Sequence, residues 1–60
     1  MYKVRYSVLK FGTNDKVGND KICYTELPLG KIEETLRDQY IFEDRDICIV
    51  EITQCVGHVL

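Results

Sequence analysis

The sequence predicts an α+β domain in which a three-stranded antiparallel sheet, in spatial order 2-1-3, carries one helix on a single face. Three observations predict it: a strictly alternating segment at the N-terminus, a helix-period stripe in the middle, and an apolar strand-like run, Asp46 to Ile52, near the C-terminus. Sixty residues make one domain, close to the lower limit at which a chain folds without disulfides, metal or a second subunit.

Tyr2 to Val8 places Tyr2, Val4, Tyr6 and Val8 on one side and Lys3, Arg5 and Ser7 on the other, the signature of a half-buried strand. Leu9 and Phe11 then fall on the side that began as polar. Gly12 to Asp20 gathers Gly, Asn and Asp, which supply positive φ and local side-chain hydrogen bonds, and predicts a hairpin loop. Lys21 to Leu27 is the second strand, with Ile22 and Tyr24 on one side and Cys23, Thr25 and Leu27 on the other.

Pro28 suits the first turn of a helix, where its missing N–H is no loss. Leu29, Ile32, Leu36 and Tyr40 recur on one stripe, so a helix is predicted over residues 28–40. Glu33 and Glu34 are placed near its positive end, and Glu33 precedes Arg37 by one turn. Ile41 to Arg45 turns the chain into a last strand over residues 45–54. Residues 55–60 form an apolar tail, either free or swapped onto a second copy.

The order strand, strand, helix, strand is satisfied by a right-handed crossover that brings the last strand beside the first. The stripe on the helix then packs on Tyr2, Val4, Tyr6 and Val8. Strict alternation in the last strand points Ile47 and Ile49 one way and Cys48, Val50 and Ile52 the other. A single helix covers only one side, so the remaining apolar set needs a second copy or a partner. Leu9, Phe11, Ile47 and Ile49 are the candidate self-association residues, with Cys48, Val50 and Ile52 as the alternative set. Stacking of two sheets through the open face is the first expected assembly; pairing through an edge strand is the second.

Charge is divided unevenly. Residues 1–31 hold six basic against three acidic groups, and residues 32–60 two against seven, within a net charge of −2. Glu33, Glu34, Asp38, Glu43 and Asp44, with Asp46 beside them, predict a negative ridge suited to a basic partner protein. The excess is too small to argue for nucleic acid from charge alone.

No apolar run approaches the roughly 20 residues that span a bilayer, and no signal-peptide pattern follows Lys3 and Arg5. The chain is therefore expected to be intracellular, in the cytoplasm. Cys23, Cys48 and Cys55 are odd in number and lie in strand-like segments, as reduced core thiols do.

Other chemistries find little in the pattern. Cys23, Cys48, Cys55 and His58 make a zinc complement in kind, but their spacings are not those of paired knuckle ligands. A thiolate nucleophile has only His58 as a base, and adjacent Glu33 and Glu34 do not converge on one point, so no enzyme, metal or cofactor is expected. Gly12 and Gly18 lack a phosphate-loop pattern, and Asp15, Asn19 and Asp20 lack calcium-loop alternation. The alternative function is nucleic-acid binding through Lys3 and Arg5, which Tyr2 and Tyr6 do not support because they lie on the other side.

In its size, its lysine- and acid-rich character and its layout, the chain resembles the small accessory proteins of bacteriophages and mobile elements. That resemblance implies binding to, and inhibition or modulation of, a larger host protein. The expected function is thus a small homodimeric protein-binding module, self-associating through Leu9, Phe11, Ile47 and Ile49 and meeting a partner through its acidic ridge.

Overall fold

The computed structural model describes residues 1–55. Its elements run β1 (Tyr2–Lys10), β2 (Lys21–Thr25), α1 (Leu29–Ile41) and β3 (Arg45–Gln54). The sheet order is β2-β1-β3 with both ladders antiparallel, as the alternation and crossover argument predicts. The predicted tail beyond Cys55 lies outside the described residues, and His58 with it.

The core is the predicted one on β1 and α1. Val4, Tyr6 and Val8 are buried against Ile32 and Leu36, and Tyr2 and Tyr40 pack partly on them. Tyr6 and Tyr40 meet edge to face with ring centres 6.0 Å apart, and their hydroxyls lie 3.0 Å apart. Burial first, and the Tyr40 hydroxyl second, hold the Tyr6 phenol protonated well above its ordinary range.

Strand β3 corrects the strict alternation. Arg5 faces Glu51 and Tyr6 faces Ile49, so Val50 has no partner on β1 and forms a bulge. One extra residue restores the phase of the strand across the break. Ile47, Ile49 and Ile52, which face Val8, Tyr6 and Val4, therefore all stand on the helix side. Ile47 is 2% exposed and Ile49 packs partly on the core. Neither belongs with Leu9 on the other side of the sheet, where Cys48 and Val50 stand instead. Cys48 is exposed rather than a core thiol for the same reason.

Three smaller differences have local causes. β2 stops at Thr25 because the Thr25 hydroxyl accepts the Leu27 N–H at 3.1 Å and turns the chain. Pro28 caps α1 in an extended conformation (ψ 146°), one residue before the first turn, so Glu33 and Glu34 fall beyond that turn and its dipole. Leu29 opens the helix and stays exposed, since helical side chains lean toward the N-terminus and its own leans past the helix end.

The loop between β1 and β2 is tied down rather than loose. Val17 donates to the Val8 carbonyl at 2.7 Å and Lys10 to that of Asp15 at 2.9 Å, extending the ladder past β2. Gly12 and Gly18 take the positive φ values, 79° and 76°, that this path needs. No helix among the described residues is long and apolar enough to cross a membrane.

Candidate functional site

Two surfaces remain after the core is accounted for: the sheet face opposite α1, and the end of the molecule where α1 turns into β3. The opposite face carries Lys3, Arg5, Ser7 and Leu9 from β1. The registers place Tyr24 opposite Lys3, Ile22 opposite Arg5, and Glu51, Cys48 and Asp46 along β3. Ile22 and Tyr24 are 54% and 61% exposed. The sequence does not mark either as a site residue, because their side of the sheet depends on the β1–β2 register, which no local pattern reveals.

Charges on this face are largely matched. Arg5 lies 3.7 Å from Glu51. Ser7, 3% exposed, donates its hydroxyl to Asp20 at 2.7 Å, and Lys16 reaches the same oxygen at 3.0 Å. The Ser7 hydrogen bond, then that of Lys16, holds the Asp20 carboxyl below its ordinary value.

On the flank, Arg37 joins helix to sheet. It donates to Asp46 at 2.9 Å and to Glu33 at 3.1 Å, and Asp46 also accepts the Ile47 N–H at 2.8 Å. The Arg37 bond, then the Ile47 amide, lowers the Asp46 carboxyl, and Arg37 is raised in turn. Because folding lowers both Asp20 and Asp46, their contribution is fully present above the ordinary carboxylate range. It fades as pH falls through that range and below. Thermal melts from neutral pH down to about pH 2 are expected to show this loss. Asp20→Asn combined with Asp46→Asn should be less stable at neutral pH and flatter in acid; an unchanged acid limb would remove both carboxylates from the account.

The acidic ridge divides in two. Glu33 is held by Arg37 at 3.1 Å and Glu34 by Lys31 at 3.1 Å, so both are matched on their own helix. Asp38, Glu43 and Asp44 make no ion pair among the described residues. They surround the end of α1, whose last turn has no basic residue, so the negative pole of the helix meets further negative charge, with the Arg45 guanidinium donating to the Asp44 carbonyl at 3.4 Å. Asp44 adopts φ 55°, a left-handed conformation that Asp tolerates. Its carbonyl accepts the Phe11 N–H at 3.3 Å, bringing the end of β1 to this turn.

At that end Phe42 is 92% exposed and Phe11 63%, with Ile41 about half exposed. The alternation of β1 singles out Phe11; Phe42 falls in the segment predicted to turn α1 into β3, although an aromatic residue between two acidic segments is itself a signal. Leu9 is only half-buried on the open face, while on the helix side Ile47 is buried and Ile49 half-buried.

Between β2 and α1 a shallow groove of about 180 Å³ opens over Cys23, Thr25 and Leu27, with Thr35 and Gln39 on its helix side. The thiols do not converge: Cys23 stands on the helix side of the sheet and Cys48 on the opposite side. Among the described residues no cluster of three His, Cys, Asp or Glu side chains has the arrangement of a metal site. Compared with known proteins, the chain matches no family model, no curated protein and no solved structure.

Proposed function

We propose that this chain is a small, non-enzymatic protein-binding module that works as a homodimer and docks a larger, basic protein at the end carrying Phe42. The observation that carries the proposal is the conjunction at that end. A phenylalanine 92% exposed lies among Asp38, Glu43 and Asp44, beside a helix terminus that disfavours negative charge. Neither feature helps this fold, and both suit a partner offering an apolar pocket rimmed by Arg or Lys. Inhibition or modulation of that partner follows the resemblance to phage and mobile-element accessory proteins. Three free cysteines fit a reducing, cytoplasmic setting.

The test is parallel affinity purification from the native host with wild type, Phe42→Ala, and the double variant Glu43→Gln, Asp44→Asn. A basic protein recovered by wild type in a salt-sensitive way, lost with Phe42→Ala, and already weakened at low salt with the double variant, is the expected result. Recovery of the same protein by all three baits would sink the assignment of this end. Light scattering at micromolar concentration is expected to give twice the chain mass.

One observation favours the second reading, a nucleic-acid binder. Tyr24 stands directly opposite Lys3 on the open face, supplying the stacking ring that Tyr2 and Tyr6 do not. Against it, Arg5 is matched by Glu51 and Asp20 sits against Ser7 on the same face. Salt-sensitive retention on single-stranded DNA or RNA, weakened by Lys3→Ala and Tyr24→Ala, is what this reading requires.

A further inference from the structure

The two edges of the sheet are unequally open to pairing. β3 is broken in its middle by the Val50 bulge, one of the devices that keep an edge strand from joining another chain. β2 is short and begins with Lys21, but it has neither a bulge nor a Pro: its five residues form a regular ladder with Tyr2–Tyr6.

The hydrogen bonds show which groups β2 leaves free. On the side of β1 that faces β2, Val8 accepts from Val17 and Lys10 donates to Asp15. Even-numbered residues of β1 thus direct their backbone toward β2, which makes Val4 and Cys23 a hydrogen-bonded pair. Ile22 and Tyr24 therefore turn their N–H and C=O groups to the open edge, and their side chains stand half out of the opposite face. Backbone groups of this kind are strong donors and acceptors that match another strand.

We propose that β2 pairs antiparallel with β2 of a second copy about a two-fold axis at Cys23, joining the two sheets into one of six strands. This rests on the homodimer reading above and gives it a geometry. The strand Lys21-Ile22-Cys23-Tyr24-Thr25 is self-complementary about its centre. Ile22 meets Tyr24 of the partner subunit twice over, in hydrogen-bonded pairs that join a β-branched to an aromatic side chain. Cys23 meets its own copy in a non-hydrogen-bonded pair, where Cα atoms lie about 4.5 Å apart and side chains are closest. The contact is closed by its symmetry and propagates no further. Face-to-face stacking is the poorer solution, because it would bury Lys3 and the Arg5–Glu51 pair, whereas edge pairing leaves them in water.

The native thiols report the geometry. Diamide treatment at micromolar concentration, read by non-reducing electrophoresis and peptide mapping, is expected to join Cys23 to Cys23. The diamide takes up the two electrons and two protons that the two thiols release. Cys48→Ser should leave the cross-link intact and Cys23→Ser should abolish it. Amide exchange at Ile22 and Tyr24 should slow as protein concentration rises. Tyr24→Pro removes an outward N–H, a change that edge strands tolerate, together with the ring that meets Ile22 of the partner subunit, and should raise the dimer dissociation constant about tenfold or more. A dimer joined through Cys48 or Cys55, with the Ile22 and Tyr24 amides exchanging freely, overturns this pairing but leaves the homodimer. A monomer at every concentration overturns both.

Discussion

Ile32→Ala is expected to leave most of the chain unfolded at neutral pH and ordinary temperature. Ile32 is 1% exposed and lies against a sheet whose central residue, Val4, is fully buried. Truncating a buried Ile removes its transfer energy and leaves a cavity, together worth about 2–5 kcal/mol. A core of this size seldom supplies more than about 3–5 kcal/mol in all, so one substitution consumes most or all of the margin. Among the described residues six hydrophobic side chains are buried, and few neighbours are available to relax into the gap. Far-UV circular dichroism with urea titration checks this. Leu29→Ala, on the same stripe but exposed, serves as the control and should shift stability by no more than about 0.5 kcal/mol. A wild-type urea midpoint for Ile32→Ala would place the core elsewhere. Under the homodimer reading the wild-type midpoint also rises with protein concentration, because association draws on the folded state.

The elements were legible where the deciding pattern is local. Alternation from Tyr2 to Val8 needs only period two, and the stripe Ile32, Leu36, Tyr40 needs only one helix turn, so β1 and α1 are read to within about two residues. The sheet order followed from chain connectivity. What escaped depends on pairing between distant residues. The bulge at Val50 exists only relative to β1; strict alternation sets Ile52 apart from Ile47 and Ile49 and leaves open which set faces the helix. Spacing did carry a clue: isoleucines at 47, 49 and 52 are separated by two and then three, and an apolar spacing of three inside a strand marks an inserted residue. The clamp of Ser7 on Asp20 has no comparable trace, since it arises where the loop meets the finished sheet.

The bulge predicts a ranking of substitutions in β3 that strict alternation does not. Ile47→Ala should destabilise by about 2–4 kcal/mol, since this side chain is 2% exposed and packs in the core. Val50→Ala, at a residue off the ladder and about half exposed, should stay within about 0.5 kcal/mol of wild type, as should Cys48→Ala. Were the outward set Ile47 and Ile49, the ranking would invert, with Val50 and Ile52 the sensitive pair. Deleting Val50 is the stricter experiment. Removal of the unpartnered residue leaves Glu51 opposite Arg5 and Ile49 opposite Tyr6, so all three isoleucines keep their side and the ladder becomes continuous. The deletion variant should remain folded, with less loss than Ile47→Ala, and thermal unfolding of the four proteins side by side measures the order. A deletion that abolishes cooperative unfolding, or a Val50→Ala loss equal to that of Ile47→Ala, would mean that Val50 is part of the ladder. The three isoleucines would then lack a common side, and an uncovered apolar set would again need a partner.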